Sequence, residues 1–202
     1  MTGLRERKKE QTRQRIAAVA LRMFTERGFD AVTVNEIAEA AEVAKATLFA
    51  YFPTKESLVL HGVGGDDLAG IVTRRAADQT LLEALRTHPR AFDAGQAAKA
   101  DLNALIARLR VIQDSPALQS AAHGLSYQQR QALAQVLADE YGSTTAALMA
   151  AQITASLLAL QETYYQRLLG GASANDAGRA LAQDVDLAFD LLEHGLQQVE
   201  GR

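Results

Sequence analysis

Apolar residues recur at helical spacing through most of this chain, and no stretch alternates apolar and polar positions as a strand would. Ile16, Val19, Ala20, Met23 and Phe24 fall at i, i+3, i+4, i+7 and i+8, which predicts a long helix over 8–27 with one buried face. Gly28 follows as its terminator, in the left-handed conformation that glycine adopts without penalty. The residues before Lys8 read as disordered and solvent-exposed. Thr33 and Glu36 have the spacing of a capping box at a helix start, after which Ile37, Ala38 and Ala41 share one face. Lys45 to Tyr51 predicts a second short helix that turns Leu48 and Phe52 inward, and Pro53 stops it. Thr54 is placed to cap a third helix containing Lys55, Glu56 and Leu58. Two short helices, a tight turn and an immediate third helix read as helix-turn-helix, its core completed by Phe29, Val32, Val34 and Ile37.

Beyond Leu58 the helical pattern meets Gly62, Gly64 and Gly65, each worth about 0.5–1 kcal/mol against a helix, so a break is expected there. Asp66 or Asp67 caps a restarted helix through Ile71 and Arg75. Further helices are predicted over Gln79–Thr87 and Gln96–Gln113, then from Ser115 and Pro116 to Tyr141 with a stop at Gly142. Gly124, with Ser126 and Gln129 as a second capping box, predicts a kink in that last one. Thr144–Leu169 and Asn175–Gln198 form two long terminal helices. The expected fold is all-α, with a helix-turn-helix domain at 1–60 and a larger helical ligand-binding and dimerisation domain at 61–202. The penultimate helix is apolar round most of its circumference and so must be covered on more than one side. Pairing with a second copy in a four-helix bundle about a two-fold axis does this, through Leu148, Ala151, Ala155, Leu158, Leu181, Val185, Ala188, Leu192 and Leu196. The alternative is that the two helices seal a monomeric core.

A recognition helix presents its exposed side to base edges. Here that side offers Lys45, Ala46, Thr47, Phe49, Ala50 and Tyr51. Lys45 suits guanine or a phosphate, while Ala46, Phe49 and Ala50 suit thymine methyls. The hydroxyls of Thr33, Thr47 and Tyr51 suit phosphate oxygens, as does Lys55 at the start of the next helix. The segment AVTVNEIAEAAEVAKATLFAYFPTKESL resembles the DNA-binding signature of the TetR (tetracycline repressor-like) family of transcriptional regulators. The resemblance rests on Thr-x-x-x-Ile-Ala spacing, an Ala-x-Val turn, a Lys-x-Thr-Leu-Phe helix and a Tyr-Phe-Pro-x-Lys-Glu exit, and covers under a third of the chain. It implies DNA contacts at Thr33, Lys45, Thr47, Phe49, Tyr51 and Lys55, and a dimer on a palindromic operator. It also implies a repressor released from DNA by a small molecule bound in the C-terminal body. Two residues depart from the family pattern: Glu42 stands where a turn glycine is common, and Ala44 where a serine is frequent.

Charge sharpens this picture. The net charge is −3, yet residues 1–15 alone hold six bases against two acids, a basic start on an acidic body. The chain has no cysteine, which excludes disulfides and thiolate chemistry. No apolar run follows the early charges, and the apolar tract Ala146–Leu160 is interrupted by Gln152, Thr154 and Ser156. Those features lead to the expectation of a soluble cytoplasmic protein. His61, His88, His123 and His194 are scattered, and no Glu-x-x-His repeat, nucleophile elbow or phosphate loop occurs. No catalytic residue, metal ligand or cofactor is therefore expected, and the chain reads as a non-enzyme. For the effector pocket the candidates are Phe92, His123, Tyr127, Tyr141, Gln161, Tyr164 and Tyr165, in apolar helices that suit a largely hydrophobic effector. An activator of the same fold, a helical small-molecule enzyme without DNA binding, and a head used for protein contacts stay open as alternatives.

Overall fold

The computed structural model describes residues 2–61, 67–87 and 102–195, the backbone alone at positions 2, 4 and 5. All regular structure among the described residues is helical: α1 (Thr2–Arg27), α2 (Val34–Ala40), α3 (Lys45–Tyr51), α4 (Ser57–Leu60), α5 (Leu68–Thr73), α6 (residues 81–87), α7 (Leu102–Gln113), α8 (Pro116–Tyr141), α9 (Ser143–Leu169) and α10 (Ala174–His194). The chain divides into two compact units. One comprises residues 1–63 with 103–122, and the other residues 64–102 with 123–202. A continuous division at residue 60 does not anticipate that α7 and the first part of α8 group with the N-terminal segment.

In the first unit, α1 packs against α2 and α4, and α2 against α3. Its core holds Ile16, Ala20, Phe24, Val32, Ile37, Leu48, Phe52 and Leu58, every one almost wholly buried. Val34, expected inside, is only half-buried. Helix α1 begins at Thr2 rather than near Lys8, so the basic start is helical instead of disordered. Gly28 ends it with φ +84°, as its position predicts. The aromatic rings of Phe24 and Phe29 meet across that exit with centroids 5.1 Å apart.

In the second unit, α9 and α10 pack on each other. Ala146, Ala150, Ile153, Leu160 and Leu168 on α9 and Ala177, Leu181, Val185 and Phe189 on α10 are buried. An ion pair between Arg167 and Asp184 ties the two helices. Arg86 reaches α10 from α6, 2.7 Å from Asp186. Helix starts follow polar capping: Asp67 accepts from Gly70 N–H at 2.8 Å, and Ser173 from Asp176 N–H at 3.1 Å. A capping box at Thr80 and Glu83, not singled out in the sequence, opens α6.

Two expectations change. Helix α8 runs unbroken from Pro116 to Tyr141, so Ser126 and Gln129 open no separate helix. Helix α10 ends at His194 rather than Gln198, because Gly195 at φ +70° closes it. Helix α9 runs unbroken for 27 residues, well beyond the tract Ala146–Leu160; it has the length and composition needed to cross a membrane, a test that the core helix of a soluble protein also passes. Gly62, Gly64, Gly65 and Asp66 lie outside the described residues. Phe189 is fully buried beneath Arg86, whose guanidinium lies 6.0 Å from its ring. Phe189→Ala should cost about 3–5 kcal/mol in denaturant unfolding of the second unit.

Candidate nucleic-acid interface

Helix α3 is held by what it hides. Leu48 and Phe52, one turn apart, are 0% and 1% exposed, so the opposite side of a seven-residue helix has to face solvent. Lys45, Ala46, Thr47, Phe49 and Ala50 are exposed there and Tyr51 is half-buried, the set that helical spacing singles out. Phe49, an aromatic left 39% exposed, departs most from what a folded core would do with its residue type.

The turn before α3 is made by backbone bonds. Glu42 N–H donates to Glu39 C=O at 3.0 Å, and Val43 N–H to Ala38 C=O at 2.9 Å. Glu42 adopts φ +52°, the left-handed region that favours glycine, so the departure at this position carries real strain. Ala44 is the N-cap of α3 and supplies no side-chain bond, as expected from alanine in place of serine.

Thr33 starts α2 with both halves of the capping box formed. Its oxygen accepts from Glu36 N–H at 3.3 Å, and Glu36 accepts from Thr33 N–H at 2.8 Å. The Thr33 hydroxyl also donates to the Glu36 carboxylate at 2.7 Å, so its proton is already engaged. Arg27 adds an ion pair at 2.8 Å. The Thr33 hydroxyl, then its N–H, then Arg27 draw the Glu36 carboxyl down to about 2, and it is ionised at neutral pH.

Lys55 sits differently from its sequence position. The turn at Thr54 is closed by Ser57 N–H donating to the Thr54 hydroxyl at 3.1 Å, and α4 proper begins at Ser57, so Lys55 precedes that helix. Its ammonium lies 4.2 Å from the Phe29 ring centroid and 5.8 Å from that of Phe24. This aromatic seat was not foreseen; the signal was two phenylalanines flanking a helix-terminating glycine. Arg13 meets His61 at the far end of α4, while Phe24 and Lys55 meet at the near end. Arg13 and Phe24 are eleven positions apart on α1, a rise of about 16 Å.

The pocket candidates do not converge as one group. His123 and Tyr127 on α8 are exposed; the Tyr127 oxygen accepts from Gln131 at 2.8 Å, and Arg130 covers its ring at 4.8 Å. Tyr141, at the end of α8, is exposed too, its hydroxyl bonded to Glu140 and held above the usual phenol range by that carboxylate. Gln161, Tyr164 and Tyr165 do come together on α9. The tyrosines are buried, and Gln161 donates to the Tyr165 hydroxyl at 3.3 Å. Phe92 lies outside the described residues. Of the pairing stripe, Leu181 and Val185 are buried within the chain itself, whereas Leu148 and Ala155 are exposed and Ala151, Leu158, Ala188 and Leu192 are half-buried. Leu196 lies outside the described residues. Among those described, no cluster of His, Asp or Glu could hold a metal ion.

A short helix with one buried side and one free side, braced by a capped neighbour across a backbone-bonded turn, defines a helix-turn-helix DNA-binding regulator. Residues 16–61 match the family model described as bacterial regulatory proteins, tetR family, and residues 79–197 match the MftR C-terminal domain. The chain belongs to the TetR family of bacterial regulatory proteins. It is 27% identical over 96% of its length, and 95% of the other's, to the Mycobacterium tuberculosis H37Rv protein named MftR for regulation of mycofactocin biosynthesis. It is 38% identical to the HTH-type transcriptional repressor KstR2 of Rhodococcus jostii RHA1, over 44% of this chain and 47% of that one. A Thermus thermophilus FadR structure, a TetR-family repressor in complex with lauroyl-CoA, superposes with a TM-score of 0.51 at 28% identity, covering 91% of this chain and 94% of that one. These relatives are transcriptional regulators, not enzymes.

Two outcomes follow for the head. Glu42→Gly should relieve the left-handed strain and stabilise the chain by up to about 1 kcal/mol, read from a denaturant midpoint. Thr33→Ala should cost about 1 kcal/mol and raise the Glu36 titration towards the ordinary carboxyl value in a carbon-detected NMR titration. The sign follows from the depressed carboxyl: the contribution of Glu36 is complete above the ordinary carboxyl range and is lost as pH falls towards about 2.

Proposed function

We propose that this regulator binds a palindromic or near-palindromic operator as a homodimer and represses transcription until a small, largely hydrophobic effector releases it. The observation that carries the proposal is the free side of α3. Its N-terminal half enters the major groove, with Lys45 at guanine or phosphate and Ala46, Phe49 and Ala50 against thymine methyls. Thr47 and Tyr51 contact phosphates. Thr33 and Lys55 join them by exchanging an internal partner for a phosphate, Thr33 from Glu36 and Lys55 from the Phe29 ring. With so few polar base readers, sequence preference rests in part on DNA shape.

Duplication of the head comes from α9 and α10. Leu148 and Leu187 are 62% and 56% exposed, and a second copy covers them in a four-helix bundle. Two heads then meet half-sites about 34–36 Å or a multiple apart. The effector belongs to the second unit and acts only through its different affinity for the DNA-bound and released forms. Lauroyl-CoA is the first compound to try, because the FadR relative is complexed with it. A protein that works on DNA in this way acts in the bacterial cytoplasm.

Selection of bound sequences from random duplex DNA should enrich an inverted repeat; a pool that stays random would overturn the proposal. Lys45→Ala should weaken binding by about 1–3 kcal/mol and, where the contact is to phosphate, flatten the salt dependence by about one unit of slope. Leu148→Glu should shift the chain to monomer in sedimentation and remove tight operator binding, while unchanged dimerisation would place the partner surface elsewhere.

A further inference from the structure

Three helices of the first unit converge on His61 at the C-terminal end of α4. From α1, an Arg13 guanidinium nitrogen lies 2.9 Å from His61 Nδ1. From α7, Arg108 donates to the His61 carbonyl at 3.1 Å. Phe52, which closes α3, meets the imidazole edge-on with centroids 5.9 Å apart, and the Arg13 guanidinium stands 5.8 Å from the same Phe52 ring.

A guanidinium has five N–H donors and no acceptor. The Arg13 contact is therefore a hydrogen bond only while Nδ1 is a bare acceptor, that is, while the ring is neutral with its proton on Nε2. A proton on Nδ1 turns the pair into donor facing donor and sets an imidazolium against two guanidinium groups. Among the described residues, the charged groups that act on the ring are Arg13 and Glu10 from α1 and Arg108 from α7. Glu10 favours the proton, but its carboxylate is also engaged by Gln14 at 3.0 Å. Partial burial first, then Arg13 and Arg108, hold the imidazole below its ordinary pKa. As a residue His61 keeps solvent exposure, so protons reach it freely. The Arg108 bond to the His61 carbonyl does not depend on the protonation of the ring, whereas the Arg13 contact does.

We propose that His61 is a proton-operated latch in the DNA-binding head: neutral, it ties α1 to the end of α4 beside Phe52; protonated, it drops Arg13 and loosens the seat of α3. This rests on α3 being the helix that meets DNA. The sign is fixed by linkage. Below about pH 6.5 the unfolded chain takes up the proton before the folded head does, so the head loses stability as pH falls from there through the folded value, and is indifferent above about pH 6.5.

The test uses the full chain and His61→Asn, whose side-chain oxygen takes the place of Nδ1 as acceptor and does not titrate. Affinity for the selected inverted-repeat duplex is measured at about pH 7.5 and about pH 5.5; the natural chain should lose about tenfold more than the variant. Parallel losses in the two chains would overturn the latch, as would imidazole nitrogen shifts reporting a protonated Nδ1 at neutral pH. If neither chain binds DNA at neutral pH, the DNA-binding proposal fails, and melting temperature against pH decides the latch: a steeper acid loss in the natural chain supports it, superimposable curves refute it. Should the variant not fold, the nitrogen shifts of the natural chain decide. A bare Nδ1 that titrates below free imidazole supports the latch, and an ordinary titration refutes it.

Discussion

A seven-residue helix has no stability of its own in water, so α3 exists because Leu48 and Phe52 are buried and fix its rotation. That single constraint decides which residues are free. Turn α3 by one position and Phe49 would enter the core while Leu48 met solvent. The capping box at Thr33, the backbone-bonded turn through Glu42 and the closed turn at Thr54 keep the rotation in place from both sides. The head is thus a scaffold for one narrow surface, and its polar residues serve the scaffold first.

This has consequences for chemistry. Thr33 and Lys55 both have partners inside the head, a carboxylate and an aromatic face. In the DNA complex we propose, phosphate would have to offer more than those partners do, so a contact at either position would report the difference between two good interactions and not the worth of a charge in open water. Glu36, ionised and paired with Arg27, stands next to Thr33 and sharpens that competition. The exposed side of α3 itself carries one lysine, one threonine and a partly covered tyrosine among alanine and phenylalanine, a composition suited to methyl groups and groove shape.

The second unit solves a different problem with the same means. Helix α10 buries Leu181, Val185 and Phe189, and the Arg167–Asp184 and Arg86–Asp186 pairs tie it to α9 and α6. What is left over, Leu148 and Leu187 above all, is apolar surface that this packing does not use. In a protein of this family the division of one apolar stripe between an internal partner and an outer face is set by helix rotation, which periodicity alone leaves undetermined.

Periodicity and capping residues determined the helices themselves. The bounds of α3, the Thr33 capping box, the stops at Gly28 and Gly142 and the inward turn of Leu48 and Phe52 are all local consequences of residue type, and local chemistry is legible in a linear string. The TetR-type segment was legible for the same reason, being a run of short-range spacings. Tertiary structure decided what depends on residues distant in the chain: Lys55 resting on Phe29, Arg13 drawn to His61, α7 grouped with the head, and Tyr127 left in solvent while Tyr164 and Tyr165 went inside. Each of those depends on which helix faces come to lie against one another, and a sequence states the faces without stating the pairing.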